Sequence, residues 1–275
     1  MPIAFTHVNG HRIRYRVEGP NDAPLVVFGH GLLGSIEQIE QHAPGLDTLY
    51  DSIRFLTYDA RGHGQSEGPG DPTGYSWDTL GHDMALIARS VGGEKAIFGG
   101  GSMGAATSLW VALEHPERVQ ALVLAIPPPL GADAIRGENE RAAIRMLEFL
   151  AAAVENYGLE QTVQIARNAP GFAPTPEDAD QRARWLLQQN PRTILHAIRG
   201  LLNAPHHDPE AYRQINVPTL VIAHEGDGLH PMRSAKLLAE TIPNARLLAG
   251  DRPGYWRSNP EKLQSELRTF FNTLA

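Results

Sequence analysis

Five short runs rich in apolar residues punctuate this chain, and longer segments of helical character separate them. Leu25–Phe28 ends in Gly29, Arg54–Tyr58 is a second run, Lys95–Phe98 follows Gly92-Gly93, Val119–Ile126 stops at Pro127-Pro128-Pro129, and Thr219–Ala223 is the fifth. Unbroken apolar runs of this length are the mark of strands covered on both faces. Trp77–Val91 carries a helical period, Met103–Glu114 reads as a helix stopped by Pro116, and Ser234–Thr241 and Pro260–Phe271 read as two more, with a short strand at Arg246–Leu248 between them. Near the start, the alternating segments Ile3–Val8 and Arg12–Val17 flank Asn9-Gly10, the turn pair that favours a tight hairpin. Strands alternating with helices predict an α/β fold with a mostly parallel, eight-stranded type of sheet flanked by helices.

From Leu130 to about Tyr212 that rhythm stops. The stretch is mostly helical, with Glu138–Glu155 its best segment and prolines at 170, 174 and 176 as punctuation. The expected organisation is therefore a core of residues 1–129 and 213–275, with residues 130–212 inserted after the sixth strand as a helical cap. At 275 residues and 42% hydrophobic content, one sizeable core is expected. A net charge of −7 leaves no basic footprint for nucleic acid. The absence of cysteine excludes disulfides, thiolate metal sites and a cysteine nucleophile. No apolar run reaches the length of a membrane span, and the first ten residues lack the pattern of a signal peptide, so the expected setting is the cytoplasm. No His, Asp and Glu grouping has convincing metal spacing, and neither a metal nor a cofactor is expected.

The reactive candidate is Ser102. Gly100-Gly101-Ser102-Met103-Gly104 satisfies G-x-S-x-G, follows the strand Lys95–Phe98 and opens the helix from Met103. That strand–turn–helix setting gives the motif its meaning: a sharp turn lifts the hydroxyl clear of the sheet, and the helix start offers N–H groups to a developing anion. With this motif the chain resembles the α/β-hydrolase fold family over nearly its whole length. His30-Gly31-Leu32 is similar to the family's oxyanion loop, Asp59-Ala60-Arg61-Gly62-His63-Gly64-Gln65-Ser66 to its D-x-R-G-x-G-x-S loop, and His115-Pro116-Glu117-Arg118-Val119 to the segment before its sixth strand. The resemblance implies an oxyanion hole from the backbone N–H groups of Leu32 and Met103. It also implies the order serine, acid, histidine.

Asp227 stands where the resemblance places the acid, with Glu225 as the weaker substitute. The histidine is missing from its usual place: the family's Gly-His pair reads Gly254-Tyr255 here. A tyrosine of pKa about 10 is a poor base near neutrality. Three explanations stay open: another histidine serves, Tyr255 is an engineered change that silences the enzyme, or serine hydrolysis has been abandoned. Among other histidines, His230 shares the Asp227 loop and is the first choice; His207, in the inserted stretch, is the second. His30, His207 and Trp256 are expected to contact substrate.

The function these features imply is that of a serine hydrolase cleaving a small-molecule ester or lactone. Its substrate is expected to be bulky and apolar because of the long helical insertion. The chain is also similar to esterases that open large lactones, macrolides included. A serine at the elbow argues against an epoxide hydrolase or haloalkane dehalogenase, which carry aspartate there. A cyclase, a lyase or a ligand-binding receptor on the same fold remains the alternative. The oligomeric state, a homodimer among the options, is left open.

Overall fold

A computed structural model describes residues 3–42, 49–132, 136–168 and 176–274. β1 (Ala4–Val8) and β2 (His11–Glu18) form the hairpin, with Asn9 at φ 48° and Gly10 at φ 80°. Two successive positive φ values are what a two-residue turn between right-twisting strands requires, and Asn-Gly supplies them at least cost. Then come β3 (Leu25–Gly29), α1 (Ile36–His42), β4 (Arg54–Tyr58), α2 (Trp77–Ser90), β5 (Ala96–Gly101), α3 (Met103–Glu114) and β6 (Val119–Ala125). Three inserted helices follow, α4 (Glu138–Arg167), α5 (Pro176–Leu187) and α6 (Pro191–Asn203). The chain closes with β7 (Thr219–His224), α7 (Met232–Thr241), β8 (Ala245–Gly250), α8 (Tyr255–Ser258) and α9 (Pro260–Asn272).

The eight strands make one sheet in the order β1-β2-β4-β3-β5-β6-β7-β8, antiparallel at the β1–β2 and β2–β4 pairings and parallel elsewhere. The apolar runs are divided between two cores by the two-residue period of a strand. Val27, Leu56, Phe98, Leu122, Leu124 and Val221 face α2, α3 and α7. Val26, Phe55, Ile97, Val123, Leu220 and Ile222 face Ile39 of α1, Trp256, and Leu263, Leu267 and Phe270 of α9. A sheet buried on both sides needs apolar residues at both parities, so its strands read as continuous runs rather than alternations.

The observed elements depart from expectation in three places. α1 was not foreseen. β5 runs on through Gly99, Gly100 and Gly101, although glycine is a poor strand former; at Gly99 and Gly100 the neighbouring backbone leaves no room for a side chain. A Cβ at Gly100 would lie 2.5 Å from the Gly29 carbonyl oxygen, and one at Gly104 only 2.2 Å from it. α4 continues past Glu155 to Arg167, broken at Gly158, whose φ of 78° interrupts the helix.

The inserted helices have their own apolar cluster of Val154, Leu159, Val163, Ala183 and Leu186, against which Leu33 of the loop after β3 packs. They are tied to loops at the carboxyl ends of the strands. Gln189, buried, accepts from the Gly64 N–H (3.0 Å) and donates to the Gly34 carbonyl (3.4 Å), and the Thr193 hydroxyl donates to the Gly62 carbonyl (2.8 Å). Arg257 of α8 pairs with Asp178 of α5 (2.8 Å), and Arg233 of α7 with the buried Glu140 of α4 (3.3 Å). In an open α/β sheet, ligand sites lie just outside that carboxyl edge.

Candidate active site

Ser102 sits between β5 and α3 at φ 53° and ψ −110°. A non-glycine residue held there is strained, and such strain persists only where the surroundings fix it. Two backbone bonds do so: the Ser102 N–H donates to the Ala125 carbonyl on β6, and the Gly104 N–H to the His30 carbonyl after β3, each at 3.0 Å. Between them lies Met103 N–H in the first helical turn, where no intrahelical acceptor exists. The other N–H that the resemblance implies belongs to Leu32, inside the turn closed by the Gly34 N–H to Gly31 carbonyl bond (2.9 Å), with Leu33 at φ 67°.

The loop after β7 carries Asp227 and His230. One carboxylate oxygen of Asp227 accepts the N–H groups of Leu229 (2.8 Å) and His230 (3.1 Å); the other lies 2.8 Å from His230 Nδ1. His230 Nε2 lies 2.9 Å from the Ser102 hydroxyl oxygen. An ionised carboxylate only accepts, so Nδ1 carries the hydrogen and Nε2 is left as an acceptor facing the serine O–H. Burial pushes the Asp227 pKa up, but the bond to His230, its charge and the two backbone N–H groups outweigh it. They hold the carboxyl well below the usual carboxylate range. His224 lies at 3.8 Å from the same carboxylate oxygen. A hydroxyl, an imidazole and a carboxylate in this line can pass a proton from the first to the second while the third fixes the ring.

Other expected site residues are placed elsewhere. His30 is buried, 3% exposed, with both ring nitrogens used: Nε2 accepts the Ala60 N–H (2.9 Å) and Nδ1 donates to the Gly31 carbonyl (2.7 Å). It braces two loops, and neither ring nitrogen is left to bond a substrate. Trp256 is 7% exposed, donates its indole N–H to the Ala223 carbonyl (2.9 Å) and packs in the second core. His207 packs against Trp110 with ring centroids 3.7 Å apart and planes tilted by 36°, and lies 3.7 Å from Glu114. Both partners are at the far end of α3 from Ser102, eight and twelve residues along at 1.5 Å each, too far for His207 to serve as its base. Tyr255 opens α8 with its ring edge against Trp256, and its hydroxyl accepts from the exposed Lys262 of α9 at 3.0 Å. Gly250 must lack a side chain there, since its Cβ would fall 2.6 Å from the Cβ of Tyr255.

Sequence reasoning missed Gln189, which carries no motif, and Arg182 of α5. Burial lowers the Arg182 pKa, against the charge of the Asp227 carboxylate, so Arg182 lies within electrostatic reach of that carboxylate. It also missed Ile126, at φ 39°, whose N–H donates to the Ile222 carbonyl at 2.6 Å.

The braced loop makes stability depend on pH. Burial lowers the His30 pKa to about 4, against the bond to Gly31 and the charge of Glu37; burial and the neighbouring His30 lower that of His63 to about 3. Both rings are neutral in the fold, while an unfolded histidine titrates near 6.5. Their contribution is complete above pH 6.5 and is lost as pH falls towards those values. Each is expected to cost about 2 kcal/mol by pH 5. Urea unfolding at pH 7 and pH 5 checks this, and equal midpoints would refute it.

Residues 24–254 match the profile of the α/β hydrolase fold family, and the chain belongs to that family. It is 29% identical over 247 residues to 3-oxoadipate enol-lactonase 1 of Acinetobacter baylyi, covering 87% of this chain and 85% of that one. It is 27% identical over 269 residues to a proline iminopeptidase of Pestalotiopsis fici, covering 89% and 90%. Its fold is similar to the crystal structure of the enol-lactonase from Burkholderia xenovorans, with a TM-score of 0.80 and 22% identity over 98% of this chain and 100% of that one. Among the described residues, no helix is long and apolar enough to cross a membrane.

Proposed function

We propose that this protein is a serine hydrolase of carboxylic esters or lactones, working through an acyl-enzyme on Ser102. His230 is its general base and Asp227 orients the imidazole. The observation that carries this reading is the continuous line from Ser102 Oγ through His230 (2.9 Å) to Asp227 (2.8 Å). The relatives named enol-lactonase support the ester or lactone class.

The serine hydroxyl attacks the carbonyl carbon while its proton passes to His230 Nε2. Charge gathers on the carbonyl oxygen and is met by the N–H groups of Met103 and Leu32, each such donor contributing about 3 kcal/mol to the transition state. As the tetrahedral intermediate collapses, the C–O bond to the leaving group breaks and the Nε2 proton goes to the departing oxygen. Water then attacks the acyl-enzyme, His230 takes its proton, and the acid leaves as the serine is reprotonated. The helices α4 to α6 cover this centre as a cap held on their own apolar cluster, which Leu33 joins, and a long helical cap suits a bulky apolar substrate.

The direct test is a fluorophosphonate label read by peptide mass, alongside hydrolysis of aryl esters, lactones and a prolyl anilide. Rapid labelling of Ser102 with ester or lactone turnover is the expected result. A folded protein that neither labels nor hydrolyses any of them would defeat the reading, and turnover of the anilide alone would move it to amides.

Asp227→Asn is expected to lower turnover by about 10⁴, because an amide facing Nδ1 no longer enforces the tautomer with Nε2 bare. Measuring kcat for this variant and for Glu225→Gln decides the acid: a large loss in the second alone would transfer the role to Glu225.

A further inference from the structure

Beside Ser102 lies a cavity of about 30 Å³ whose walls include His30, Gly31, Gln38, Gly101, Ala125 and Ile126. Three of these flank Ser102. Gly101 precedes it in the chain, Ala125 accepts its N–H, and a Cβ on Gly31 would lie 3.5 Å from the Ser102 Cβ. The cavity opens at the tips of β3, β5 and β6, while His230 comes from the loop after β7, on the other side of β6 in the sheet order.

That order separates the two substituents of a scissile carbonyl. The leaving oxygen must face His230 Nε2 to receive its proton, which puts the alcohol portion on the β7 side. The acyl substituent then points towards β3, into the cavity. We propose that this cavity is an acyl subsite for a short, unbranched chain of two to three carbons, counting the carbonyl, the substrate's bulk lying on the alcohol side beneath the inserted helices. The inference rests on the serine hydrolase reading and narrows it to esters of small acids with larger alcohols; a macrocyclic lactone, whose acyl side is itself large, fits poorly.

Two local features show that the space is held open. Ile126 is β-branched and sits at φ 39°, a conformation such residues rarely adopt, fixed by the bond from its N–H to Ile222. An outlier of this kind points to a constraint on where the side chain must go, and here that side chain is a wall of the cavity. Gly101 is the second feature. A Cβ built on Gly100 or Gly104 meets backbone within 2.5 Å or less, whereas one built on Gly101 meets nothing within 4 Å. No steric need of the elbow explains a glycine at 101, and any side chain there intrudes on the open space. One water-sized group needs roughly 10–15 Å³ of such space, so the cavity admits about two, the size of a methyl or ethyl group on the carbonyl carbon.

The experiment compares kcat/KM for p-nitrophenyl acetate, propionate, butyrate and hexanoate in the unaltered protein, Gly101→Ala and Ile126→Ala. Ratios between chain lengths are used because a general loss of activity cancels in them. The unaltered protein is expected to favour acetate or propionate over hexanoate by at least tenfold. Gly101→Ala should lower the propionate-to-acetate ratio by about 10-fold or more, the range one methylene commands in a tight pocket. Ile126→Ala should move the optimum to butyrate or beyond. A flat profile in the unaltered protein, or ratios unchanged in both variants, would overturn the subsite while leaving the serine mechanism standing. Failure of every ester, with no fluorophosphonate label on Ser102, would remove both.

Discussion

Ser102→Ala is expected to abolish ester or lactone turnover, with a loss of about 10⁶ in kcat, and to leave the fold intact. The loss is this large because the nucleophile and its base act as a unit, so that removing one leaves only the oxyanion hole and substrate binding. The fold should survive because the elbow is held by backbone: the bonds of Ser102 N–H to Ala125 and Gly104 N–H to His30 do not involve the hydroxyl. Alanine carries the same Cβ as serine and sits no worse at φ 53°. Turnover and thermal unfolding measured together check both halves. A folded Ser102→Ala protein with undiminished turnover would end the serine mechanism.

His230→Ala should be as damaging, about 10⁶ in kcat, and Tyr255→His should restore nothing. The Tyr255 position is the one the family's pattern reserves for histidine, so an imidazole there is the obvious repair. The local geometry argues against it. The Tyr255 ring lies over Gly250 and Trp256, and its hydroxyl reaches Lys262 on α9. The Ser102 hydroxyl and the Asp227 carboxylate both already face the His230 ring. Comparing single variants with the pair His230→Ala, Tyr255→His gives the decisive measurement. Strong gain from Tyr255→His, with little loss from His230→Ala, would return the base to position 255 and make the tyrosine an inactivating change.

Much of the architecture could be read from local pattern. The hairpin follows from Asn9-Gly10, the strands from runs that serve two cores, and the elbow from small residues around Ser102 at the junction of a strand and a helix. Where reading failed locally, the cause was a neighbour distant in sequence: Gly99 and Gly100 lie in a strand because β3 and β6 pair on either side of them. The acid and histidine candidates were partly legible for a related reason. Asp227 and His230 are three residues apart in one turn, and a carboxylate that accepts two following N–H groups brings the next imidazole to itself.

Local pattern thus determined the α/β class, the position of Ser102 and the Asp227–His230 pairing, since each depends on residues close together in the chain. Only tertiary structure decided the rest. The contact of His230 with Ser102 joins residues 128 apart, and its existence depends on β7 lying next to β6 and on the path of the loop beyond it. Trp256, His30 and His207 have the chemistry of pocket residues, yet burial directs the first two to backbone carbonyls and N–H groups and the third to the far end of α3. The acyl cavity exists only where the tips of three strands meet. A side chain's type and its neighbours in sequence do not specify which way it faces; packing against the two faces of the sheet does, because an indole or imidazole N–H or ring nitrogen taken from water must find its partner within the fold.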